Sequence, residues 1–362
     1  MTKASGSGIS MVTGKIGSAE FERHVLDFTG ARRRDVLAGP KFGLDFGLIG
    51  MGGQRVMAVS TDPIWVDRVY GLKRASWFAF HTIVGDVAVS GLSPAYLAVD
   101  WNLPAISPAE LDVMFGVFHS EARRLGMAIV AGHTGVYEGA SFPTIGGGTA
   151  IAVGKKSQVI SPSGTRKGDV LVITRGPAIE TAVALCYRFR GFMEELIGTA
   201  AVRKVRSMFY SMSVVDDAIA ASAVEGLTSM HDASERGIAA ALNELSLASG
   251  RAIEFEPEGV GMNEEISSIC SAMRLDAYSC SSEGALLITV EGDSVDGLLA
   301  RLKKKGTDAH VAGKVLDRGT GVFCSRAGKR KILIPPTRDH MLKAFRAAAA
   351  KEESGKALLR GA

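Results

Sequence analysis

Three aspartates give the first chemical suggestion in this chain: Asp45 in GLDFGLIG, Asp62 in VSTDPI and Asp86 in IVGDVAVSG. Each is flanked by glycine, proline or small residues at the end of an apolar segment. Asp86 falls within a helical apolar pattern, where aspartate has poor propensity and must reach solvent or find a partner. A lone aspartate beside glycine or proline usually does no more than cap a turn. Carboxylates gathered from separate elements repel one another unless a cation lies between them, and Mg²⁺ held by one or two carboxylates plus substrate phosphates is the usual solution. The three together therefore point to a nucleotide site.

Other segments are more ambiguous. The glycine runs Gly50 to Gly53 and Gly146 to Gly148 would let backbone amides approach a phosphate, but neither has the spacing of a known phosphate loop, and hairpin turns or strand bulges explain them equally well. His133, in AGHTG, ends an apolar strand, where it reads as a general base, a metal ligand or a satisfied structural group. The segment SMHDASERG, Ser229 to Gly237, precedes an amphipathic helix ending at Gly250. Its free amides and positive dipole end suit a substrate lip, and Ser234 or Asp232 suits the N-cap.

These residues need elements to carry them. Short β-branched runs at 56–61, 95–101, 128–131 and 149–153 alternate with helical patterns at 75–92 and 108–125, which reads as α/β or α+β. The turn formers Ser161, Pro162, Ser163 and Gly164 mark a boundary near residue 165. Beyond it come strands at 170–174, 252–255, 284–290 and 310–315 and helices at 179–188, 202–223 and 294–305, with another opening after Ser234. The expected organisation is an N-terminal domain at 1–165, a C-terminal domain at 166–340 and a tail at 341–362. The first dozen residues read as a flexible tail, and those from Lys351 lack a core-facing stripe.

Composition fits that plan. A chain of 362 residues with 46% apolar and 22% charged residues has enough core for two domains and is far from the composition of disorder. The net charge of +4 is not gathered into one basic run, so nucleic acid is not implied. Arg326, Lys329, Arg330 and Lys331 read as a solvated hairpin. Cys186, Cys270, Cys280 and Cys324 show neither zinc spacing nor a disulfide framework, which suits a reducing cytoplasm. No segment resembles a signal peptide or a membrane span.

Taken in order, RRRDVLAGPKFGLDFGLI, VSTDPI, GDVAVSGLSPAYL, AGHTGV, ITRGPAIETAVAL, MHDASERGIAAAL and SSEGALLITV resemble the aminoimidazole ribonucleotide synthase superfamily. That superfamily includes thiamine-monophosphate kinase, selenophosphate synthetase and the HypE-related hydrogenase maturation proteins, and the resemblance is strongest to the last. It spans nearly the whole chain, from Gly14-Lys15 to about Pro336. The resemblance implies two α/β domains, a homodimer whose N-terminal strands form a barrel, and ATP in a groove beside it. It also implies that Asp45, Asp62 and Asp86 bind Mg²⁺ and phosphate, with Asp62, Asp86 and His133 catalytic. Lys15, Gly85 and the turn Gly132-His133-Thr134 would face the nucleotide, and Glu180, His231, Asp232 and Glu235 would line the cleft.

Members of the superfamily phosphorylate an oxygen or selenium acceptor with ATP, and several thereby turn an amide oxygen into a leaving group. The implied activity is ATP-dependent activation of an amide, carbonyl or phosphate oxygen. The alternatives are a thiamine-monophosphate-kinase-like phosphotransferase and a catalytically impaired nucleotide-binding accessory protein. The chain departs from the HypE-related pattern at Leu44, Gly85 and Gly135, where polar residues are usual. Arg236 replaces a usual glycine, adding a cation that answers an anionic substrate or alters the turn. No cysteine stands in the last residues or near the N-terminal glycines, so neither self-carried cyanide synthesis nor selenophosphate synthesis is expected.

Overall fold

The structure is a computed structural model that describes residues 14–360; the first dozen residues, expected to be a tail, lie outside the described residues. Two sheets organise it. The first takes β1 (Val36–Ala38), β2 (Gly47–Gly50), β3 (Arg55–Trp65), β4 (Pro94–Leu103), β5 (Ala128–Val136) and β6 (Thr144–Lys155) in the order β1-β2-β3-β6-β4-β5. All neighbours run antiparallel except β4 and β5. After α1 (Ser18–His24), the helices of this half are α2 (Leu72–Ala88) and α3 (Pro108–Leu125). A capping box of Ser107 and Glu110 starts α3, and Gly126 in the left-handed conformation ends it.

The second sheet takes β7 (Val170–Thr174), β8 (Leu227–Asp232), β9 (Arg251–Phe255), β10 (Leu286–Val290), β11 (Ala309–Arg318), β12 (Val322–Arg326) and β13 (Lys329–Leu333) in the order β13-β12-β9-β11-β7-β10-β8. Its helices are α4 (Ile179–Arg188), α5 (Arg190–Ile197), α6 (Thr199–Ser207), α7 (Val215–Ala221), α8 (Gly237–Ser249), α9 (Glu264–Ala272), α10 (Val295–Lys304) and α11 (His340–Arg360). Every residue of β10 is buried, as expected of an inner strand covered on both faces. One apolar core runs through both halves, joining Phe80, Ile83 and Val87 of α2 to Val215 of α7 and Ile288 of β10. That position explains why α2 is apolar nearly all round, with Asp86 an exception to its pattern. Among the described residues no helix is long and apolar enough to cross a membrane.

Several elements differ from expectation. The helix expected at 202–223 is broken into α6, a 3₁₀ turn at Met208–Ser211 and α7. Phe209 is buried in the turn, and the Ser213 hydroxyl accepts from Val215 N to start the next helix. The expected tail from residue 341 is helix α11, whose core-facing stripe consists of Ala344 and Ala348, with Phe345 against Phe189. The strands β1, β2 and β8 were not expected, nor were α5 and α9. β8 is half polar yet buried, because Thr228 and Ser229 bond to Thr289 on β10.

The glycine runs have structural roles. Gly146 to Gly148 lie inside β6, where a Cβ on Gly146 would come within 1.7 Å of the Asp100 carbonyl and one on Gly148 within 2.6 Å of Ile83. Gly52 and Gly53 turn the chain between β2 and β3 with positive φ.

The segment ahead of β2 packs on the second half of the chain. Lys41 Nζ donates to the Ala248 carbonyl at 2.7 Å, and Gly43 lies so close to α8 that a Cβ would be 2.4 Å from the Glu244 carbonyl.

Candidate functional site

Asp62 sits midway along β3, paired with Gly148 of β6. Asp86 is near the end of α2, which packs on β3 and brings its side chain to that of Asp62. The two carboxyls act directly on each other, and a proton on one relieves the repulsion between them. Burial raises both above the usual carboxylate range, and the neighbouring negative charges of Asp45 and Asp232 push Asp86 further. Asp62 Oδ2 is buried and has no hydrogen-bond partner.

Asp45 and the end of β8 complete this cluster from the other side. His231 Nδ1 is 2.6 Å from Asp45 Oδ2, and His231 Nε2 is 3.3 Å from Glu244 Oε2 on α8. One ligand atom from each of Asp45, His231 and Asp232 lies within 4.8 Å of the others. Burial disfavours a charged His231, but Asp45 and Glu244 outweigh it and raise its affinity for a proton well above the ordinary value. Burial, with Asp45 beside it, pushes Asp232 up to about 6. Glu244 goes the other way: burial opposes its charge, yet His231 and Lys15 hold it down to about 2.

Lys15 reaches this group from the N-terminal segment. Its Nζ is 3.2 Å from Glu244 Oε2, and its backbone N–H donates to Glu235 Oε2 at 2.6 Å. Burial works against its charge, but Glu244, Asp45 and Asp232 keep it firmly protonated.

A second acidic group lies beside the first. Glu180 Oε2 accepts from Glu283 N at 3.3 Å. Burial pushes Glu180 up to about 8, helped by the charges of Asp339 and Glu235, and raises Glu283 well above the usual range, helped by Asp232 and Glu180. Glu180 therefore carries a proton at neutral pH. Asp339, just ahead of α11, accepts from Ser281 Oγ at 2.6 Å and from Arg236 N at 2.5 Å, tying the turn after β8 to the C-terminal helix.

The structure thus brings together Lys15, Asp45, Asp62, Asp86, His231 and Asp232, with Glu180 and Glu235 alongside. It does not bring Gly132, His133 and Thr134 to them within one chain. These lie inside β5 rather than in a turn, three strand positions from Asp62 through Gly148 and Val99, or about 14 Å at the usual strand spacing. His133 instead meets the Tyr137 hydroxyl at 2.5 Å. Gly85 is a packing residue, whose missing side chain lets α2 approach Val214. Nor does Ser234 or Asp232 cap α8: its N-cap is Arg236, with no side-chain cap bond, and Asp232 ends β8.

Sequence reasoning missed Glu244, Glu283 and Asp339. Glu244 had a visible signal, a carboxylate inside the apolar helix IAAALNELSLAS, the anomaly that singled out Asp86. Asp339 had none.

The comparisons with known proteins agree with this architecture. Residues 43–154 match the model for the N-terminal domain of AIR synthase related proteins, and residues 166–324 the model for their C-terminal domain. The chain belongs to the AIR synthase related proteins. Within that family it is similar to the carbamoyl dehydratase HypE of Escherichia coli (strain K12), at 27% identity over 281 residues, 76% of this chain and 80% of the relative. Its fold is similar to HypE in a HypE–HypF complex, with a TM-score of 0.68 and 20% identity over 88% of this chain and 100% of that one. It is also similar to HypE in complex with ATP, with a TM-score of 0.62 and 21% identity over 87% and 90% of the two chains.

Proposed function

We propose that the chain is a Mg²⁺-dependent, ATP-using enzyme that phosphorylates an amide, carbonyl or phosphate oxygen of a small substrate, with residues 1–165 and 166–340 as its two domains. The observation that carries this reading is the convergence of Asp45, Asp62, Asp86 and Asp232 from both halves. Four carboxylates, one with an orphaned buried oxygen, fit a divalent cation, since oxygen ligands are what Mg²⁺ takes. Asp45, Asp62 and Asp86, with Asp232, are the residues that would hold it, and the ion would supply charge neutralisation at a transferring phosphoryl group. Lys15 adds a fixed positive charge for phosphate oxygens. Glu180, half-buried and raised to about 8, can hold a proton near an oxygen that gains negative charge, with Glu283 raised beside it. The relatives named carbamoyl dehydratase and the fold likeness to HypE in complex with ATP support the same reading.

The reading includes a homodimer formed through β5. Every residue of that edge strand except Gly135 is exposed, including Ile129, Val130 and Val136, and a hollow of about 500 Å³ opens between it and α3. An unpaired apolar edge is a surface that proteins normally cover. In such a dimer Gly132, His133 and Thr134 would serve a nucleotide held partly by the other subunit.

Calorimetric titration with ATP and a non-hydrolysable analogue, with and without Mg²⁺, tests the reading when followed by phosphate release on the same sample. Magnesium-dependent binding with slow release is expected. No binding at millimolar nucleotide would overturn it, and transfer of the phosphoryl to a recovered product without release would make the chain a phosphotransferase of the thiamine-monophosphate-kinase type.

A further inference from the structure

Arg236 stands at the start of α8 with a left-handed backbone, φ 62°, a conformation that costs a non-glycine residue and persists where the surroundings impose it. Its side chain is only 12% exposed, and Nε and Nη2 are buried with no hydrogen-bond partner. A buried guanidinium with unfilled donors is expensive, because the group has left water and gained nothing in return. Its nearest counter-charge, Glu244 Oε1, is 3.5 Å from Nη2, an ion pair beyond good hydrogen-bond length.

Glu244 is also already engaged. Its Oε2 meets Lys15 Nζ at 3.2 Å and His231 Nε2 at 3.3 Å, so one carboxylate is divided among Lys15, His231 and Arg236. Lys15 and Arg236 approach its two oxygens separately, which brings two cations to a single carboxylate.

We propose that Arg236 is a binding residue for an oxyanion, a phosphoryl or carboxylate group, brought into the cleft by the reactants. The inference rests on the ATP-using reading above and adds to it a specificity-determining cation. The planar guanidinium offers parallel donors to paired oxygens, a geometry that an ammonium group such as that of Lys15 lacks. The oxyanion is either the terminal phosphoryl of the nucleotide or an anionic group of the acceptor.

The test compares wild type with R236G and R236K, titrating each with inorganic phosphate, ADP and ATP in Mg²⁺ and melting each without ligand. R236G should melt higher, because glycine adopts the left-handed backbone freely and the unfilled cation is gone. It should bind at least one oxyanion probe about tenfold or more weakly, with R236K between it and wild type. Weakening of ATP but not ADP assigns the terminal phosphoryl; weakening of free phosphate alone assigns the acceptor. R236G that binds all three probes as wild type does, or that only melts lower, overturns the proposal. Wild type that binds phosphate but no nucleotide would sink the ATP reading while the phosphate arm still decides the role of Arg236.

Discussion

The side chain of Asp86 on α2 is brought against that of Asp62 on β3, and burial together with this neighbouring carboxylate raises Asp86 well above the usual carboxylate range. On the proposed reading the cluster is destabilising without its cation, and this yields a prediction with two signs. Asp62→Asn gives Asp86 a neutral amide donor and removes the orphaned carboxylate oxygen. The metal-free variant should be more stable by about 1–3 kcal/mol in urea at neutral pH. ATP turnover should fall by more than about a hundredfold. Lower stability, or turnover like that of the wild type, would contradict the metal assignment.

The same excess of buried acids sets the pH dependence of the metal-free protein. Glu180, raised to about 8, and Asp232, raised to about 6, bind more protons folded than unfolded. Groups raised in this way stabilise the fold below their unfolded values and lose that contribution as pH rises through the folded ones. Thermal melts should therefore fall between about pH 5 and pH 9 by about 5 °C or more. Glu180→Gln should flatten the upper part of that decline. A melting temperature constant across the range would mean that these carboxyls titrate as in water.

His81, Glu121, Arg124 and Asp216 join α2 and α3 to α7. Glu121 Oε2 is 3.2 Å from His81 Nε2 and 2.7 Å from Arg124 Nε, while Arg124 Nη1 reaches Asp216 at 2.9 Å. Glu121→Ala leaves a buried imidazole without its acceptor and should cost about 1–3 kcal/mol by urea unfolding. Asp216→Ala, at an exposed end of the network, should cost less than about 1 kcal/mol. Equal costs would show that burial of His81 does not matter.

The exposed apolar edge of β5 gives a test of self-association. Val130→Asp places a charge where the proposed dimer would pair its strands, and sedimentation should show the variant as a monomer at concentrations where the wild type is dimeric. A wild type that sediments as a monomer would remove the dimer from the functional reading.

Much of the first half was legible because its signals are local. The β-branched runs and the capping box at Ser107 depend only on neighbours in sequence, and Asp86 announces itself by being wrong for its helix. The second half hid more. β8 reads as polar, and its Thr228, Ser229 and His231 are satisfied by partners far away in the chain. The core-facing stripe of α11 consists of alanines, too weakly apolar to stand out. His133 reads as catalytic by type and by resemblance, and within one chain a strand order that interposes β4 and β6 separates it from Asp62. Strand order cannot be read from spacing.

The docking of Lys41 and Gly43 on α8 also changes how the cleft can move. Asp45 lies between β1 and β2 of the first sheet in sequence but is fastened to the opposite jaw, sharing its backing with His231 and Glu244. If the halves swing apart, Asp45 travels with Asp232 and leaves Asp62 and Asp86 behind, so the seam of the opening runs through the acidic cluster itself. An ion held by both sets of aspartates would then act as a clasp, and the gape between the halves would be set by whatever occupies that seam.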